Sequence, residues 1–200
     1  MDRPHGNVEG RFQGHTDIPL NEVGLGQAYE AAKILARCPV DMIIASPLIR
    51  ARKTAEIVSK QLGKPLLFDD ELKERPFGAF EGLVVNEVKA KLGVQPHQRL
   101  VKHLPPDAEQ WHETGTRTVR VLGKWLTNHP DQTLLFVTHS GLFDALHELT
   151  FGTRIEPKHV PYHWRQVERH GLATRVRQCI PCSLTPSPPD RKTAYCQQKC

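Results

Sequence analysis

No run of apolar residues in this chain approaches the ~20 needed for a helix to cross a bilayer, so a membrane-spanning helix is not expected. The charged N-terminus is not followed by the apolar stretch of a secretory leader, and a cytoplasmic protein is the expectation. Aromatic residues are sparse, at 6%. The 27 Lys and Arg are spread along the chain among 22 Asp and Glu. Nucleic-acid binding needs a basic stripe with aromatics to stack the bases, and neither is present. The net charge of +5 is modest and suits an anionic small molecule. No internal repeat is visible, and there is no Gly-x-Ser-x-Gly elbow of a serine hydrolase.

Cysteine is almost confined to one end. Of five, only Cys38 precedes residue 179, and it reads as a small buried apolar residue. The others form two pairs, Cys179-Ile180-Pro181-Cys182 and Cys196 with Cys200. Four such thiols can hold zinc, but the intervening Pro- and Ser-rich stretch lacks a strand pattern, so a disordered tail is the reading preferred. Composition shifts after Arg177 to Pro, Ser, Thr, Lys, Gln and Cys. One folded domain is therefore expected over residues 1–175, with a tail over 176–200. A single core of that size is stable without disulfides.

What is present is an alternation of short apolar runs and helical periodicities. Asn21 caps a predicted helix running to about Cys38, with Leu25, Ala28, Ala32 and Leu35 on one face. Met42 to Ala45 is a continuous apolar run that suits a strand covered on both faces. A helix from about Ile49 to Leu62 follows, with Ala51, Ala55, Val58 and Leu62 inward, and then a short strand, Leu66 to Phe68. From Asp69 to about Glu109 the pattern is irregular and polar. Helix returns from about Glu113 to Asn128, with Val119, Leu122 and Leu126 inward. Thr133 to Val137 is the clearest strand, followed by a helix through Leu149, and a last strand is expected within 160–169. Strands alternating with helices imply right-handed crossovers and a mostly parallel sheet.

In such sheets ligands bind beyond the carboxyl ends of the strands. Two polar clusters fall there, Ser46 to Arg50 and His139 to Gly141. Arg50 opens a helix, where its guanidinium can fork onto phosphate oxygens, or it is simply a solvated helix end. His139 ends a buried strand and is either a functional imidazole or a structural one bonded to a carbonyl. Glu74, among Glu71, Lys73 and Arg75, would ordinarily be a solvated loop charge. Asn7, Arg11, Gln13 and Gly14 lie in a polar loop that can wrap an anion with its amides or serve as an ordinary turn.

Four segments settle how these are taken. They are Asn7-Val8-Glu9-Gly10-Arg11-Phe12-Gln13-Gly14, Ser46-Pro47-Leu48-Ile49-Arg50-Ala51, the Leu72-Lys73-Glu74 stretch leading to Glu81-Gly82, and Val137-Thr138-His139-Ser140-Gly141. In order and spacing, over roughly residues 7–165, they resemble the histidine phosphatase superfamily, which includes the cofactor-dependent phosphoglycerate mutases. The resemblance implies a three-layer α/β/α sandwich of the phosphoglycerate mutase-like type and metal-free phosphoryl transfer through a phosphohistidine, with no cofactor and a small phosphorylated substrate as partner. It implies that His139 and Arg50 stabilise the transferring phosphoryl group and that Glu74 is the general acid. Asn7, Arg11, Gln13 and Gly14 would close around the phosphate, and Arg75 would meet a second charged group of the substrate. Glu81 is read as structural, and His15 and Asp17 continue the match without an assigned role.

The family begins with an apolar strand ending in Arg-His-Gly, whose His is the nucleophile. This chain instead reads Met1-Asp2-Arg3-Pro4-His5-Gly6, so the first strand is expected to be missing and the chain to be truncated relative to the family. His5 stands two residues before Asn7, too close to match, and becomes the nucleophile only if the head rearranges. Ser140 replaces a more usual Gly. Three readings of function stay open: a phosphomonoesterase, which is preferred, a mutase, and a catalytically dead relative that binds a phosphorylated metabolite.

Overall fold

The computed structural model describes residues 10–98, 100 and 103–151. Three strands, β1 (Met42–Ala45), β2 (Leu66–Phe68) and β3 (Leu134–Val137), form a parallel sheet in the order β2-β1-β3. Ala45 is level with Phe68 on one side and Val137 on the other, so all three strands end on one row. The long helices are α1 (Glu22–Leu35), α2 (Ile49–Leu62), α4 (Trp111–Asn128) and α5 (Ser140–Phe151), with a short α3 (Val85–Lys91) between the second and third.

The layering follows from the period of two along each strand. Ile43 and Ala45, with Leu135 and Val137, face Ala28, Ala32 and Leu35 of α1 and Ala51, Ala55 and Val58 of α2. Their neighbours Ile44, Leu134 and Phe136 point the other way, onto Leu72, Leu142 and Val121 of α4. Two apolar cores thus sandwich one sheet, which is the expected α/β/α arrangement. The small alanines on α1 and α2 let both helices lie close to the strands. Asn21 caps α1, its side chain accepting from the Gly24 amide at 2.9 Å, and the helix ends at Leu35, three residues short of the expected end. Cys38 is a free thiol, only half-buried, at the margin of the first core.

Two expectations are corrected. The stretch from Asp69 to Glu109 is not irregular throughout. It holds 3-10 turns at Asp70–Leu72 and Gly78–Phe80 as well as α3. Its apolar residues form a third cluster, with Phe12, Val88, Val94 and Leu100 buried and Phe77, Phe80 and Val85 against them. Val119, expected inward on α4, is 41% exposed, whereas Val121 is fully buried. The helix starts at Trp111 through a reciprocal cap between Gln110 and Glu113, and its inward stripe passes through Val121, Leu122, Trp125 and Leu126. The strand expected within 160–169 and the cysteine-bearing tail lie outside the described residues. Among the described residues no helix is long and apolar enough to cross a membrane.

Candidate functional site

The common end row of the strands delivers three segments to one place: Ser46–Arg50 after β1, Asp69–Arg75 after β2, and Thr138–Gly141 after β3. The ladder runs slightly past the strands, since the Ser46 amide donates to Val137 O at 2.9 Å and the Asp69 amide to Ala45 O at 3.0 Å.

Arg50 lies in the first turn of α2 and is only 8% exposed, so it is not a solvated helix end. Its guanidinium donates to Thr16 O at 3.0 Å and Gly14 O at 2.9 Å. Asp17 adds the cap that α2 lacks from its own Leu48, accepting from the Ile49 amide at 2.6 Å. The loop carrying Gly14 is thereby tied to the helix carrying Arg50. Glu81 ties the same loop from the other side, accepting from the amides of His15 at 3.1 Å and Phe77 at 3.0 Å, which fits its reading as structural. Gly14 has φ +50°, and a Cβ there would stand 2.0 Å from Glu81 Oε1. Arg11 bridges Val84 in antiparallel fashion and donates to Gly82 O at 2.8 Å. Gln13 is half-buried between these ties.

Glu74 is 9% exposed, also unlike a solvated loop charge. One carboxylate oxygen accepts from the Arg75 amide at 2.9 Å and the other from the Gly141 amide at 3.2 Å, in the first turn of α5. The close approach needs glycine, because a Cβ at 141 would lie 2.2 Å from Glu74 Oε1. Burial pushes the Glu74 pKa above its usual 4.5, opposed by those two amide bonds and by Arg50 and Arg75. The group is thereby biased toward keeping a proton.

His139, 7% exposed, places Nε2 at 2.8 Å from Ser46 Oγ. Burial first, then the charges of Arg50, His15 and Arg117, hold its pKa well below the ordinary 6.5, so the ring is neutral near pH 7. His15 also reaches the backbone of the acid segment, Nε2 lying 2.8 Å from Glu74 O.

Arg75 is buried, and burial lowers its pKa against the pull of Glu74 and Glu109. Its guanidinium bonds Glu109 O and lies 5.3 Å from the Phe77 ring centre and 5.2 Å from that of Trp111. Its Nε is buried without a hydrogen-bond partner.

One face of α4 straps the acid-bearing segment down. Arg117 forks onto the Glu109 carboxylate at 2.7 and 2.6 Å and also donates to Glu71 O and to Lys73 O at 2.9 Å. Arg120 pairs with Glu71 at 2.5 Å. Lys124 Nζ and Trp125 Nε1 both donate to Asp69 Oδ2, at 3.0 and 2.8 Å. Burial alone would raise the Asp69 carboxyl; the hydrogen bonds from Glu71, Trp125 and Lys124 overcome it and hold it below the ordinary range.

The structure therefore brings together Arg50, Glu74, Arg75, His139 and the Gly14 loop. His5 and Asn7 lie outside the described residues. The sequence reading gave no role to Ser46, His15, Asp17 or Arg117. Ser46 and Asp17 stood inside or beside matched segments and were open to notice. Arg117 had no local signal, since its partners lie 8 to 46 residues away. Among the described residues no three His, Cys, Asp or Glu side chains converge to hold a metal ion.

Residues 3–166 match the family model described as the histidine phosphatase superfamily (branch 1). The chain is 34% identical over 140 residues to the uncharacterized phosphatase PhoE of Bacillus subtilis, covering 70% of this chain and 68% of that one. It is 33% identical over 150 residues to a 2,3-bisphosphoglycerate-dependent phosphoglycerate mutase of Bartonella quintana, covering 70% and 73%. Among solved structures it is similar to Bacillus stearothermophilus YhfR, with a TM-score of 0.69, 27% identity and 80% of each chain covered. It is also similar to a mycobacterial glucosyl-3-phosphoglycerate phosphatase complexed with VO3, with a TM-score of 0.66, 26% identity and coverage of 77% and 80%. The four matched segments, the sandwich and these likenesses agree: the chain belongs to the histidine phosphatase superfamily, branch 1.

Proposed function

We propose that this protein is a phosphomonoesterase that moves the phosphoryl group of a small phosphorylated metabolite to a histidine and then to water. The observation that carries it is the convergence of Glu74, His139 and Arg50: a buried carboxyl biased toward its protonated form, a neutral imidazole and a buried guanidinium at one end of the sheet. An acid that keeps its proton above the usual carboxylate range can protonate a leaving alkoxide. Fixed donors beside it stabilise charge on the phosphoryl oxygens.

In this scheme a histidine nitrogen attacks phosphorus, the bond to the leaving oxygen breaks, and Glu74 gives that oxygen its proton. Water then attacks the phosphohistidine, the P–N bond breaks, and a proton returns to Glu74. Arg50, His139, Asn7, Arg11, Gln13 and the Gly14 loop hold the phosphate, and Arg75 meets a second charged group of the substrate. His5 is the nucleophile candidate that the sequence offers. The roles need neither metal ion nor cofactor, because cationic and neutral donors already offset the phosphate charge. Pro4 between Arg3 and His5 favours a second reading, in which the site binds a phosphorylated metabolite without turning it over.

Hydrolysis of a generic aryl phosphate without added metal tests both. Turnover abolished in His5→Ala and His139→Ala and lowered in Glu74→Gln is expected of the phosphatase. Inorganic phosphate binding that depends on Arg50, with no turnover in the native chain, overturns it in favour of the binding protein.

A further inference from the structure

Ser46 is fully buried, and the mechanism above does not use it. Its hydroxyl lies between two groups. The Leu48 amide donates to Oγ at 3.3 Å, and His139 Nε2 lies at 2.8 Å. No other hydrogen bond is made by this hydroxyl among the described residues. The arrangement is built into the backbone. Ser46 N is held by Val137 O, which sets Ser46 and His139 at the ends of adjacent strands. Pro47, with its fixed φ, turns the Leu48 amide back toward Oγ.

A hydroxyl has one proton to give. The Leu48 N–H occupies one of the two lone pairs of Oγ. If Nε2 carried a hydrogen and donated to the second lone pair, the Ser46 proton would be buried with no acceptor among the described residues, an arrangement that folded proteins avoid. The opposite direction satisfies every group: Leu48 N–H donates to Oγ, and the Ser46 O–H donates to Nε2. The hydrogen of the neutral ring then resides on Nδ1, which makes no hydrogen bond among the described residues. The burial and the cationic neighbours Arg50 and Arg117, which help keep the ring neutral, are consistent with an accepting Nε2.

We propose that Ser46 is a positioning residue that locks His139 as the Nδ1–H tautomer and so makes Nδ1 the donor to a bound phosphoryl oxygen. The tautomer stands on the geometry around Ser46. The donation to phosphate rests on the phosphatase reading above.

The test is nuclear magnetic resonance of the full chain labelled with 15N-histidine, correlating ring nitrogens with the carbon-bound ring protons near pH 7.5. His139 is assigned by the signals lost in His139→Asn. Expected is a protonated Nδ1 and an unprotonated Nε2, with the Nε2–H form appearing in Ser46→Ala, a variant that removes only the hydroxyl. The amide spectrum of Ser46→Ala verifies that it folds. An Nε2–H ring in the native chain overturns the proposal whether or not the variant folds. So does an Nδ1–H ring that persists unchanged in a folded Ser46→Ala. Titration with inorganic phosphate then reads the second half: a displaced Nδ1 resonance supports donation. Phosphate that leaves the His139 signals unmoved overturns the donor role and the phosphate-binding reading while the tautomer result stands.

Discussion

Replacing Gly141 with alanine separates stability from activity at this site. Gly141 lies in the first turn of α5 with an ordinary helical backbone, so alanine there removes chain entropy from the unfolded state and favours the helix by about 0.5–1 kcal/mol. The added methyl, however, would stand 2.2 Å from Glu74 Oε1 and 3.2 Å from Arg75 Cδ. Van der Waals contact requires about 3.5 Å, so the carboxylate must retreat by roughly 1 Å. That retreat also breaks the 3.2 Å bond from the Gly141 amide, which to a protonated carboxyl is worth about 0.5–1.5 kcal/mol. The gain and the loss largely offset in stability, leaving the variant within about 2 kcal/mol of the native chain. Activity has no such offset. A general acid displaced by about 1 Å costs on the order of 10²-fold in rate, close to 2.7 kcal/mol of barrier. The assays are kcat/KM on an aryl phosphate and the urea midpoint of the same preparations. A folded Gly141→Ala protein with native kcat/KM refutes the assignment of Glu74 as the acid held by this amide.

Three further outcomes follow from the geometry. Arg117→Leu leaves the Glu109 carboxylate with only the Thr114 hydroxyl, without its ion-pair partner, and takes the Arg117 donor from two backbone carbonyls in a largely buried setting, so unfolding free energy falls by about 3–5 kcal/mol; Arg117→Lys, which lacks the fork, fails to restore it, and a loss under 1 kcal/mol in urea titration contradicts the strap. Because the folded pKa of Glu74 lies above 4.5, its contribution to stability is fully present below pH 4.5 and is lost as pH rises through the raised value. Glu74→Gln removes that component, so native and variant stabilities measured across pH 4 to 8 diverge; parallel curves would disprove the shift. Asp17→Ala takes the acceptor from the Ile49 amide and lowers stability by about 1 kcal/mol, seen as a drop in melting temperature, whereas Asp17→Asn retains most of it.

The long elements were legible because their signals are local. The apolar runs Met42–Ala45 and Leu66–Phe68 and the alanine-rich stripes of α1 and α2 are written within a few residues each, and Asn21 marks its own helix start. α3 was not legible because it has seven residues and buries only Val88, against Phe12 and neighbours brought close by the distant Arg11–Val84 bridge. Val119 was misplaced since apolar residues at 119, 121, 122 and 126 of α4 support more than one stripe, and the sheet selects the one through Val121. At the site, Arg50 and His139 were legible as strand-end residues. Glu74 was legible only through the family pattern, because the Gly141 that packs on it and donates to it lies 67 positions further along the chain (141 − 74).

The shared end row of the three strands has a consequence for how the molecule assembles. Ser46 meets His139 across 93 positions of chain, Glu74 meets Gly141 across 67, and Arg50 meets Gly14 across 36. Closing such long loops costs entropy before any of these polar contacts forms, so the helices and the β1–β2 pairing come early and the site comes last. The amide that holds the acid and the His139 imidazole then share one late event, because both follow β3. The Ser46–His139 and Glu74–Gly141 contacts are expected to form together when β3 docks, and chains in which it has not docked carry neither.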